Sequence, residues 1–70
     1  MPLKGFTNGY PPQSGLYAFH DYEGNVYPTI LLVIYRAGRW FVEKTDGTSN
    51  DIVEWYDRKC ITAYHLVTRP

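Results

Sequence analysis

Seventy residues carry seven basic and seven acidic side chains, seven tyrosines, three phenylalanines and two tryptophans. That length allows one domain with a thin core, since ordering each residue costs about 1.5 kcal/mol that burial must recover. A formal net charge of zero excludes a field strong enough to steer nucleic acid or an anionic membrane, and the single cysteine, Cys60, excludes an internal disulfide.

Residues Met1 to Gly15 contain three prolines and three glycines without periodicity. Pro11-Pro12 dictates an extended stretch and Ser14-Gly15 a turn. The segment 1–15 reads as an arm or loop over a single small domain of residues 16–70, with Phe6 and Tyr10 available to pin it down or to meet a partner. No apolar leader and no run of about 18 apolar residues is present, so the sequence predicts a soluble, cytoplasmic protein with no membrane contact.

Leu16 to Tyr22 alternates as a strand, with Leu16, Ala18 and His20 on one side and Tyr17, Phe19 and Asp21 on the other. Glu23-Gly24-Asn25 is a turn. A second strand runs from Val26 or Thr29 to Tyr35, and Pro28 confines itself to its start, a bulge or an outward position. It holds the only unbroken aliphatic run, Ile30 to Ile34, which suits a central strand apolar on both faces.

Gly38 then reverses the chain into Arg39–Lys44. A two-residue loop, Ala37-Gly38, sets Arg36 opposite Arg39 and Leu32 opposite Glu43. A three-residue loop with Gly38 in a bulge sets Ile34 opposite Trp40 and Leu32 opposite Val42, and cross-strand pair energies of about 0.2–1 kcal/mol favour it. Ile30, Leu32, Ile34, Trp40 and Val42 then form the core face. Leu31, Val33, Tyr35, Arg39, Phe41 and Glu43 form a second face, too apolar for plain solvent surface.

Thr45 to Asp51 is a polar loop turning at Asp46-Gly47. Ile52 to Tyr56, β-branched and aromatic, reads as a strand. Asp57-Arg58-Lys59 is a charged turn, and Cys60 to Val67 is the last strand, followed by the tail Thr68-Arg69-Pro70. Cys60 reads as a small half-buried hydrophobe. The fold class is all-β: a five-stranded antiparallel meander curled into a small, partly open barrel. The alternative is a single curved sheet that dimerises because it cannot bury both apolar faces alone.

No constellation carries chemistry. His20 and Asp21 point to opposite sides of a strand, and His65 lies far along the chain. Cys60 and His65 are about 16 Å apart along a strand. No ligand-spaced pair predicts a metal, and no glycine loop predicts a phosphate or cofactor site. The sequence therefore argues against an enzyme. Tyr17, Phe19, Tyr35 and Phe41 beside Arg36 and Arg39 form a conceivable base-stacking platform, so a single-stranded nucleic-acid-binding barrel is the alternative function. Zero net charge counts against it. The preferred reading is a protein-binding surface of Leu31, Val33, Tyr35, Arg36, Arg39 and Phe41, since exposed apolar patches mark interfaces.

Two resemblances follow from these residues. HDYEGN followed by GRWFVEKTDG resembles the SH3 domain, with Trp40-Phe41 at the paired-tryptophan position and Asp21-Tyr22 echoing its earlier motif. The acidic loop and the Pro-Ser-Asn-Tyr element of the proline-binding groove are missing, so only a small-barrel texture carries over. The span Gly15 to Pro70 resembles short uncharacterised β-rich proteins of bacteriophages and prophages, through GLYAFHDYEG, VIYRAGRWFV, Thr62-Ala63-Tyr64 and Pro70. Tyr64 stands where a tryptophan is more typical. That resemblance implies a phage accessory protein that binds a host or phage protein, and it supplies no site residues. Taken with the aromatic surface, the expectation is an accessory or inhibitor protein engaging a larger host enzyme or a copy of itself, with no cofactor.

Overall fold

The computed structural model describes residues 2–68. Met1, Arg69 and Pro70, which begin the expected arm and end the expected tail, lie outside the described residues. The elements are β1 (Thr7–Asn8), β2 (Gly15–Asp21), β3 (Leu31–Arg36), β4 (Arg39–Glu43), β5 (Ser49–Asp51), α1 (Ile52–Lys59) and β6 (Ile61–Thr68). The strands make one antiparallel sheet in the order β1-β6-β2-β3-β4-β5, and it does not close into a barrel. The fold is thus mostly β as the sequence predicts. The open sheet replaces the barrel, and two of its strands lie outside the expected five: β1 comes from the arm and β5 from the expected polar loop Thr45 to Asp51. The connectivity departs from a meander because β6 crosses back to pair with β2.

The largest departure is α1, where a strand over Ile52–Tyr56 and a turn over Asp57–Lys59 are expected. Three local features outweigh β-propensity there. Asp51 is an N-cap whose carboxylate accepts from the Val53 and Glu54 backbone N–H groups. Ile52, Trp55 and Tyr56 recur at i, i+3 and i+4 and are the buried residues of the helix. Glu54 in the first turn and Arg58 and Lys59 in the last complement the helix dipole. Cys60 ends the helix in the left-handed conformation, where its N–H reaches the carbonyls of Asp57 and Tyr56. It is exposed, which corrects the half-buried expectation.

The helix covers one face of the sheet. Tyr17 and Phe19 of β2, Leu31 and Val33 of β3, Val42 of β4 and Ile61 of β6 join Ile52, Trp55 and Tyr56 in the core. Trp55 is fully buried, with Phe19 and Tyr27 edge-on at 5.0 and 5.2 Å between ring centroids. Such contacts add to area burial and let a small core hold together. On β3 the core residues are Leu31 and Val33, so the expected core set of Ile30, Leu32 and Ile34 is on the wrong side.

The hairpin register explains the reversal. Arg36 pairs with Arg39, Tyr35 with Trp40, Ile34 with Phe41, Val33 with Val42 and Leu32 with Glu43. This is the two-residue loop that the like charges of Arg36 and Arg39 argue against in sequence, with Ala37 at φ 52° and Gly38 at φ 80°. Both values suit a type I′ turn, whose twist matches the flanking strands. The two guanidinium groups find separate partners: Arg36 lies over the Phe41 ring at 5.5 Å, and Arg39 faces Asp51 at 3.9 Å. Repulsion is therefore relieved, while Val33 and Val42 enter the core together.

The N-terminal segment wraps both faces at one end of the sheet. Thr7 and Asn8 pair with Tyr64 and Ala63. Phe6 packs on the imidazoles of His20 and His65, with centroids 4.8 and 5.5 Å away. Tyr10 stacks on Tyr56 at 4.5 Å, and the Tyr56 hydroxyl donates to the Gly9 carbonyl at 2.6 Å. Phe6 and Tyr10 pin the segment as the sequence allows.

Candidate functional site: the helix-free face of the sheet

Side chains alternate across a strand, so the partners of core residues identify the opposite face. Leu16 of β2 pairs with Leu32 of β3. Leu32 stands two residues before Ile34, and Ile34 pairs with Phe41 of β4. These four residues make a contiguous apolar stripe across three strands, and all are half-buried. Val67, exposed at the irregularity where β6 shifts register beside Leu16, extends the stripe. Arg36 closes one end over the Phe41 ring, and Glu43 stands beside Leu32 at the other.

The stripe has no helix over it: among the described residues the one helix packs on the other face. The N-terminal segment reaches only the end of this face at His20 and His65, through Phe6 and Leu3. His20 is buried there: its Nε2 accepts from the Leu3 N–H at 3.1 Å, and its Nδ1 lies 2.8 Å from the Asp21 carbonyl. With the Leu3 N–H donating to Nε2, Nδ1 is the ring nitrogen that donates to the Asp21 carbonyl. His65 Nδ1 meets the Gly5 carbonyl at 2.7 Å in the same way. Both histidines thus clamp the segment, and His20 is placed as a satisfied structural residue. Asp21 Oδ1 accepts from the Glu23 and Asn25 N–H groups, which fixes the following turn.

The residues singled out from sequence divide. Phe41 and Arg36 lie on the helix-free face, and Arg39 lies beside them at the turn. Leu31 and Val33 are buried beneath the helix, so they belong to the core and not to a contact surface. Tyr35, 56% exposed, projects from the helix side with its ring against Trp40 at 4.8 Å. Sequence reasoning missed Leu16, Leu32 and Ile34. The signal that could have found them was the strong alternation of β2, which puts Leu16 opposite the Tyr17 and Phe19 pair.

The base-stacking platform does not assemble. Tyr17 and Phe19 are fully buried, and Tyr35 and Phe41 project from opposite faces. Among the described residues no group of three or more histidine, cysteine, aspartate or glutamate side chains is arranged to hold a metal ion. None of their helices is long and apolar enough to cross a membrane. No protein-family model, curated protein or solved structure matches this chain.

Proposed function

We propose that the protein is a non-enzymatic binding module that docks another protein on the helix-free face of its sheet. The observation that carries this reading is the contiguous stripe of Leu16, Leu32, Ile34 and Phe41, flanked by opposite charges at Arg36 and Glu43. A sheet with one covered face and one apolar open face has an interface-like composition without further folding. Arginine and phenylalanine are residues that contribute strongly at interfaces. The resemblance to short phage and prophage proteins supplies the setting: an accessory or inhibitor protein acting on a host or phage protein.

The test compares wild type with Ile34→Asp and Phe41→Ala, both confirmed folded by circular dichroism. Immobilised protein is exposed to bacterial lysate, and light scattering at micromolar concentration is run in parallel. The expected result is a defined prey, or a dimer, that Ile34→Asp abolishes and Phe41→Ala weakens. Prey or self-association unchanged in both variants would overturn the reading.

A further inference from the structure

A second surface lies away from the open sheet face, where α1 runs into β6. The Cys60 residue turns the chain in the left-handed conformation, and its carbonyl accepts from the Tyr22 N–H at 3.1 Å. One residue later β6 shifts register against β2, with His20 paired to Ala63 and Asp21 to Ile61, so Thr62 is the extra residue of a bulge. These two irregularities border a recess of about 320 Å³ lined by Tyr10, Tyr22, Tyr56, Asp57, Cys60, Ile61 and Thr62. A neighbouring hollow of about 310 Å³ shares Tyr22 and Thr62 and continues it past Asn8 to His20.

The lining has more aromatic surface than the fold requires. Tyr22 is 70% exposed and Tyr10 50% exposed. Neither phenol hydroxyl hydrogen-bonds within the described residues, whereas Tyr56 is committed to Gly9. Tyr10 is held in place by its stacking on Tyr56. Asp57 has no hydrogen bond or ion pair to its carboxylate among the described residues. Its neighbour Arg58 is turned away, toward Glu54 at 3.9 Å and Asn50 at 3.3 Å. Ring faces and an unpaired carboxylate together select an organic cation.

The openness of the recess chooses among cations. A quaternary ammonium group gains most when rings enclose it, and a lysine ammonium is strongly hydrated and stays in water. A guanidinium is planar, weakly hydrated, stacks on an open ring and presents a fork to a carboxylate. We propose that this recess is a binding site for the guanidinium of an arginine side chain presented by another polypeptide, with Tyr22 and Tyr10 as stacking surfaces and Asp57 as the anionic partner. The groove toward Asn8 and His20 gives the flanking backbone room to continue. This site shares no residue with the stripe of Leu16, Leu32, Ile34 and Phe41.

The experiment is an NMR titration of the labelled full chain with acetyl-Gly-Arg-Gly-amide, its lysine counterpart, agmatine and tetramethylammonium. Saturable shifts at Tyr10, Tyr22 and Asp57 with the arginine peptide are expected, with several-fold weaker binding of the lysine peptide. Asp57→Asn weakens binding about tenfold, by loss of a charge-assisted pair, and Tyr22→Ala about threefold. Both positions are exposed, so both variants retain the fold, which amide spectra verify. Ile34→Asp, which removes the open-face surface, leaves this titration unchanged, so the two readings fail separately. The proposal is overturned by absence of saturation, by full binding to Asp57→Asn, by equal affinity for the lysine peptide, or by preference for tetramethylammonium. Agmatine binding more tightly than the arginine peptide would overturn the polypeptide source.

Discussion

Removing the indole of Trp55 tests how this small core is held. Trp55 is fully buried, meets Phe19 and Tyr27 edge-on, and closes the space between α1 and the sheet. Truncation to alanine removes that area and leaves a cavity, a loss of about 3–5 kcal/mol. A chain of this size has on the order of 3.5–10 kcal/mol of stability in total. Trp55→Ala should therefore lose a large share of its stability and unfold at a much lower urea midpoint than wild type. Phenylalanine is the sharper probe. The indole Nε1 is buried without a hydrogen-bond partner among the described residues, and such an orphan donor costs about 1–3 kcal/mol. Trp55→Phe gives up part of the indole surface, roughly 2 kcal/mol at about 0.8 kcal/mol per CH2-sized group, but removes the orphan. The two effects nearly cancel, so its urea midpoint should lie close to wild type. Urea unfolding followed by far-ultraviolet circular dichroism measures both variants without relying on tryptophan emission. If Trp55→Phe falls as far as Trp55→Ala, the indole N–H is not a cost and the reasoning is wrong.

The helix start gives a second prediction. Asp51→Ala removes the cap on the Val53 and Glu54 N–H groups and the 3.9 Å pair with Arg39, for a loss of about 1 kcal/mol. Calorimetry should show Tm lower by roughly 4–8 °C, whereas Asp51→Asn, which still caps, should lose less. At the hairpin tip, Ala37 occupies a positive φ that asparagine tolerates far better. Ala37→Asn should raise Tm, and a fall would refute the type I′ assignment. Burial, with a smaller contribution from the neighbouring Tyr10 charge, pushes the Tyr56 phenol well above the ordinary 10.0. A folded-state value above the unfolded one gives stability that is complete below pH 10.0 and is lost as pH rises toward the folded value. Denaturant midpoints should therefore drop more steeply above pH 10 in wild type than in Tyr56→Phe. Tyr56→Phe in turn starts lower by about 1 kcal/mol for its lost bond to Gly9.

What was legible in the chain was whatever had a local cause. The alternation of Leu16 to Asp21, the reversal at Gly38 and the central position of the aliphatic run all appear as the residues imply. The phase of β3 was not legible. Ile30 to Ile34 is apolar at every position, so nothing within it marks which side faces inward. That choice is made by Trp55, about twenty residues away in sequence, which needs Leu31 and Val33 beneath it. The helix itself carried readable signs, with Asp51 followed by Glu54 at capping-box spacing and Ile52, Trp55 and Tyr56 at helical spacing. They were outweighed by β-branched and aromatic content and by a C-terminus that ends on Cys60 without the usual glycine. The candidate binding face follows the same pattern. Its charged end, Arg36 with Phe41, is visible in sequence, but its apolar middle, Leu32 and Ile34, is indistinguishable from core until the phase of β3 is known.

The outermost strands are two and three residues long, Thr7–Asn8 at one margin and Ser49–Asp51 at the other. Such stubs expose few unpaired backbone groups to template a neighbour's strand, so lateral growth into ribbons or fibrils is disfavoured at these borders. Association through this sheet must therefore come from above it, by side chains meeting side chains. Any assembly it joins should dissolve when one leucine or isoleucine on that plane becomes charged, and should be indifferent to proline placed in either border strand.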